Sequence, residues 1–184
     1  MMAWIAWALG GVLPGGVVHL ATILVLPMTA SRDSFSRLEP VTAVNQMTLL
    51  PQPTPAGSVV PLMDPAFATA VCRYDLTDAP PKLLVGVAPS YTTPTFYTRQ
   101  GLAFYAINDR AAARRTIELD LMTPAQRASV QDDEEVTAAD RLIVESPMPT
   151  GLIVVRALAA EPGDLPLVRG ILAGAQCRPQ PTQQ

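Results

Sequence analysis

Residues 3–28 read AWIAWALGGVLPGGVVHLATILVLPM, and no charged side chain occurs from Met1 to Ser31. An apolar run of this length exceeds the roughly 20 residues that cross a hydrocarbon core of about 30 Å. Trp4 and Trp7 stand near one end, where indole rings favour a membrane interface. Arg32, Asp33 and Arg37 follow the other end, where charge returns to water. The reading is one transmembrane anchor helix over residues 1–31. A cleaved secretory signal is the competitor, and such a signal carries a basic leading region, a shorter apolar core and a small-x-small cleavage site. Here no Lys or Arg precedes the run, and Met28 spoils the cleavage pattern ahead of Ala30. A buried core helix fits less well, because the segment is apolar all round.

Gly11, Gly15 and His19 recur at intervals of four and so share one helix face. A Gly-x-x-x-Gly spacing lets a second helix approach closely, and an imidazole on the same stripe can hydrogen-bond to it. The stripe reads as a docking face for other transmembrane helices, in a larger complex or a homo-oligomer. The plainer account is that small residues are frequent in such helices, with Pro14 marking a kink. His19 is the only histidine in the chain. At membrane depth it is a candidate tetrapyrrole ligand by resemblance to light-harvesting antenna helices, set against a neutral imidazole bonded to a neighbouring helix.

The chain carries 13 basic and 16 acidic residues, a net charge of -3. With a pI of about 5.1 it lacks the basic face that a nucleic-acid binder shows. Only Lys82 among the basic residues is a lysine. Arg32 and Arg37 against a bare N-terminus would place the following domain in the cytoplasm by the positive-inside rule. Cys72 and Cys177 argue the other way. They are the only two cysteines, with no Cys-x-x-Cys or histidine company. Such a pair fits a disulfide in an oxidising compartment, and two unrelated buried thiols is the alternative. The expected location is the bacterial inner membrane, single-pass, with the domain in the periplasm.

Residues 32–62 hold Pro51, Pro53, Pro55 and Gly57 in close succession. Each proline removes a donor and fixes φ, so the stretch reads as an extended stalk or strap. Residues 63–178 read as the domain. Short β-like runs bounded by Pro or Gly appear over 70–76, 83–87, 95–98, 102–107, 116–121, 141–145 and 152–158. Their short connections favour antiparallel pairing. Asn108 and Asp109 offer caps for a helical turn over 110–115. Thr123-Pro124-Ala125-Gln126 is a capping box with proline in the first helical position. Asp164 caps a helix expected to run through Gln176, its apolar face made by Val168, Ile171, Leu172 and Ala175. The last residues, 179–184, read as a disordered tail. The class is α+β: one N-terminal transmembrane helix, then a small mainly antiparallel β domain with two or three short helices.

Outside the first segment there is no histidine for a triad, no Gly-x-Gly-x-x-Gly, no Walker-type loop and no Cys/His cluster, so the common hydrolase, dinucleotide, nucleotide and zinc chemistries are removed. Asp132-Asp133-Glu134-Glu135 reads as a solvated acidic loop. Tyr97, Arg99 and Tyr105 are the candidates for an aromatic-lined pocket. No cofactor is expected, and no metal site beyond His19 as a pigment ligand.

The runs DPAFATAVCRYDLTDAPPKLLVGVAP, FYTRQGLAFYAINDRAA and IELDLMTPAQRASV resemble short membrane-anchored alphaproteobacterial proteins of the domain-of-unknown-function family number 1254, and Ser31 to Leu38 fits as well. The longer members of that family carry a second domain. The resemblance implies an anchored envelope protein and supplies no catalytic residue. The function these features point to is a non-catalytic accessory or structural subunit, docked through its helix on a larger membrane complex. A tethered periplasmic module that binds or converts a small molecule is the alternative, and pigment or haem ligation by His19 a third.

Overall fold

The computed structural model describes residues 2–29, 34–112, 115–129 and 142–179. It divides into two compact units, Met1–Asp33 and Ser34–Gln184. Arg32, the acidic run 132–135, Arg141 and the tail 180–184 lie outside the described residues.

In the first unit the apolar run forms helix α1, Met2–Thr29. Among the described residues, however, no helix is long and apolar enough to cross a membrane, and the expected transmembrane anchor is corrected on this finding. Gly10, Gly11, Pro14, Gly15, Gly16 and His19 sit in the middle of the run. They supply backbone, a ring and an imidazole where a spanning helix carries hydrocarbon.

The second unit is α+β, with two sheets where the sequence suggested one. Strands β1 (Met47–Leu49), β2 (Phe67–Asp75), β3 (Pro81–Gly86), β4 (Tyr91–Thr98), β5 (Ala103–Ala106), β6 (Thr116–Met122), β7 (Leu142–Glu145), β8 (Thr150–Leu158) and β9 (Gln176–Pro179) are joined by helices α2 (Ser34–Leu38), α3 (Pro124–Ser129) and α4 (Leu165–Ala173). The first sheet has the order β1-β2-β8-β4-β5 and the second β7-β6-β3-β9. All pairings are antiparallel except β6 with β7. A parallel neighbour needs a long crossover, and the connection 123–141 that carries α3 provides it. Residues 142–145 and 150–158 therefore do not pair with each other, since β8 lies in the other sheet, between β2 and β4.

Period-two alternation explains the core. Ala68, Ala70, Cys72 and Tyr74 of β2 and Ile153, Val155 and Ala157 of β8 belong to the same buried cluster as Leu83 and Val85 of β3 and Ile117, Leu119 and Leu121 of β6. Val168 and Leu172 of α4 join them. The opposite face of the first sheet is covered as well: Val71 and Leu152 pack with Leu38, Leu50, Phe35, Val59, Val60 and Met63. The proline-rich segment is thus a strap over that face, which is why β2 is buried along both of its rows.

Several local signals act as their chemistry dictates. Thr123 Oγ1 accepts from the Gln126 amide, the Gln126 side chain accepts from the Thr123 amide, and Gln126 Nε2 donates onward to Leu76 O at 2.7 Å. Asn108 caps a 3-10 turn, Asp109–Ala111. Asp164 makes no side-chain capping bond to α4. Its carboxylate instead accepts from the Glu161 amide and closes the preceding 3-10 turn, Pro162–Asp164. Helix α4 stops at Ala173 rather than running to Gln176, because the chain turns at Gly174 and residues 176–179 pair with β3.

Two side chains of β2 stitch the sheets together. Cys72 is bonded to Cys177 of β9, closing a sequence separation of 105. Tyr74, only 1% exposed, places its hydroxyl 3.0 Å from Ser146 Oγ and donates to Tyr97 O at 3.2 Å. Ser146 follows β7, and its amide donates to Met122 O of β6. The tyrosine ring lies over Gly151, its partner on β8. A Cβ there would overlap the Tyr74 hydroxyl and the Tyr97 carbonyl.

Four outcomes follow for unfolding measurements. Replacing both Cys72 and Cys177 by alanine should lower stability by about 3–5 kcal/mol, as closure of so long a loop implies, seen as a lower urea midpoint; an unchanged midpoint refutes the covalent stitch. Gly151→Ala should cost about 3 kcal/mol through overpacking. Gly170→Ala, where a Cβ meets nothing within 4 Å, should be neutral or stabilise by up to about 1 kcal/mol. Burial raises the Tyr74 pKa above its ordinary 10.0, partly offset by the Ser146 hydrogen bond. The folded state therefore holds its proton where the unfolded chain loses it, and this stability, complete below pH 10, is lost as pH rises beyond it. Tyr74→Phe should flatten that alkaline fall in the midpoint.

Candidate functional site

Helix α1 carries the feature most in need of an explanation. Val12, Leu13, Val17, Val18, Leu20, Ile23, Leu24, Val25 and Leu26 are all exposed, as are Trp4 and Trp7. A contiguous apolar surface of this kind marks a contact with something apolar. Gly11 and Gly15 have open space where a side chain would stand, and His19, one turn further along the same face, is exposed. Thr22 on this helix is satisfied internally, donating to Val18 O at 2.8 Å. Arg37, the other interface anchor inferred from sequence, closes α2.

Within the second unit the structure separates the residues inferred as a pocket. Phe96 pairs with Tyr105 across β4 and β5, and their rings pack 5.8 Å apart at the inter-sheet core. Tyr97, one residue further along β4, points to the opposite face and packs beneath the strap. A one-residue step in a strand reverses the face, so Tyr97 and Tyr105 do not meet. Arg99 does lie near Tyr97's neighbours: its guanidinium stacks 4.3 Å from the centre of the Phe35 ring. Arg73 approaches the same ring at 5.3 Å. Each such contact contributes about 0.5–2 kcal/mol. Arg73 is buried, donates to Thr42 O at 3.1 Å and has Glu39 at 3.7 Å. This cluster fixes α2 on the sheet, which is a structural role.

The cavity of note lies elsewhere, between the edge strands. A groove of about 560 Å³ runs between residues 45–47 and residues 175–179. Asn45 adopts φ 54°, a left-handed conformation that asparagine tolerates. Its side chain then reads the backbone of Asp75 twice, donating to the carbonyl and accepting from the amide at 2.9 Å each. The asparagine thereby takes the place of a strand neighbour where β1 has not yet begun. Sequence reasoning missed this groove, because its two walls are some 130 residues apart and neither carries a chemical motif. The one usable signal was Asn45 itself, a turn-former just ahead of β1.

Among the described residues no group of three or more His, Cys, Asp or Glu side chains could hold a metal ion. Among the buried polar groups, Tyr74 and Ser146 bond each other, and Thr92 Oγ1 accepts from the Ala88 amide.

Comparison with known proteins gives a consistent picture. A crystal structure of a Vibrio parahaemolyticus protein superposes with a TM-score of 0.55 at 13% identity, covering 82% of this chain and 38% of that one. An uncharacterized protein from Burkholderia cenocepacia gives a TM-score of 0.47 at 12% identity, covering 79% of this chain and 36% of the other. The first likeness shows a shared fold, and the chain spans less than two fifths of the length of either protein. No curated protein matches. The family model described as a protein of unknown function (DUF1254) matches residues 44–179, from the left-handed turn ahead of β1 to the end of β9, and the chain belongs to that family.

Proposed function

We propose that this protein is a non-catalytic accessory subunit of a larger bacterial envelope assembly, joined to it by α1. The observation that carries the reading is the exposed apolar surface of that helix, from Val12 to Leu26, which demands a partner surface. The open positions at Gly11 and Gly15 suit close approach by a partner helix, whether from another subunit or a second copy. Association with the envelope membrane then comes through the assembly. The bonded pair Cys72–Cys177 supports an oxidising compartment, the periplasm, for the domain. We place the chain among the alphaproteobacterial members of its family. The small-molecule reading needs Tyr97, Arg99 and Tyr105 in one concave site, and their opposed faces count against it. Ligation of a tetrapyrrole by His19 requires a visible absorption band in the purified protein.

The test is the native mass of the full chain extracted gently from its host, compared with a form lacking residues 2–29. The full chain is expected to elute with a larger assembly and the shortened form alone. A full chain that elutes alone, as a monomer, overturns the subunit reading.

A further inference from the structure

The groove beside the disulfide has two strand edges for walls. β9 pairs with β3 and β1 pairs with β2, and among the described residues each ends its sheet. A row of open backbone donors and acceptors is a template for another strand. The side chains of β9 specify what kind of strand. Cys177 faces inward, buried in its bond to Cys72, and lines the groove with Met47, so an incoming residue beside it meets an apolar floor. Arg178 faces outward and is exposed. In register it stands directly opposite Lys82, a like-charge pairing that disfavours the strand contact. Lys82 is occupied by Glu118, and among the described residues no carboxylate forms an ion pair with Arg178. The free side of β9 therefore lacks one thing, a negative charge level with Arg178.

We infer that the free edge of β9 is a peptide-binding site, taking an extended segment of alternating apolar and acidic residues by strand addition. The apolar side chain sits against Met47 and the disulfide, the carboxylate pairs with Arg178, and Gln46 and Gln176 at the groove's sides are available to the flanking backbone. A second copy of β9 is a poorer occupant, since it brings glutamine and arginine where an acid is needed. The inference rests on β9 and not on α1, so it stands apart from the subunit reading.

The experiment titrates the full-length oxidised chain into a fluorescein-labelled heptapeptide of alternating valine and glutamate and follows anisotropy. Saturable binding is expected. It should weaken about tenfold or more with Arg178→Glu, as like charges face each other, and equally when alternate peptide amides are N-methylated. A peptide with lysine in place of glutamate should recover binding to the Arg178→Glu chain, which shows that the exposed substitution left the fold intact. No saturable binding overturns the inference. So does binding indifferent to N-methylation or to charge at Arg178, or a dimer of the free chain that Arg178→Glu dissociates.

Discussion

The second unit depends on a single strand of the first sheet whose side chains tie it to the second. β2 is hydrogen-bonded between β1 and β8 in the first sheet, and its inward row reaches the second. At Cys72 the link is covalent, to the edge strand β9. Two residues on, at Tyr74, it is a buried hydroxyl held by Ser146 and by Tyr97 O. The hydroxyl is favourable only while these partners are present, since an unpaired polar group at such depth costs several kcal/mol. That constraint propagates. Position 151 on β8 must be glycine to leave room for the ring, Ser146 must be held level with β6 by its amide bond to Met122 O, and α4 must end early enough for Cys177 to reach β3.

The strap is the second consequence. A strand joined to both sheets has an outward row as well, and Val71 on that row cannot stay in water without loss. The segment from Phe35 to Met63 covers it with Leu38, Leu50, Val59 and Val60. Its prolines suit this task, because a covering segment needs few backbone donors of its own. Phe35, whose ring is approached by both the Arg73 and Arg99 guanidinia, pins the start of the strap where the chain enters the unit.

Much of this was legible in the residues, and what was not has definite causes. Interior strands such as β2, β6 and β8 announce themselves by β-branched runs between breakers. Gln126 could be read as a cap because all the partners of a capping box lie within four residues. β1 was hidden because Met47-Thr48-Leu49 is too short to show a period within a proline-rich stretch. β9 was hidden because Val168, Ile171, Leu172 and Ala175 continue a helical rhythm past the point where Gly174 breaks it. The division into two sheets could not be read at all, as it depends on where long-range pairs form. The groove shares that cause. The apolar N-terminal run was read as a span from its length, while the glycines, Pro14 and His19 within it weaken that reading.

The functional picture divides along the same line. Tyr74 and Ser146 inside the unit are bonded in holding it together, and two features face outward: the apolar surface of α1 and the edge of β9. Through Cys72 and Tyr74, β2 ties its own sheet to the other. Amide hydrogen exchange of the full chain, oxidised and reduced, tests it most directly. Opening the Cys72–Cys177 bond is predicted to lower protection in β9 and β2 together, because that bond ties the two strands across the sheets. Loss of protection confined to β9, with β2 unchanged, would contradict the account.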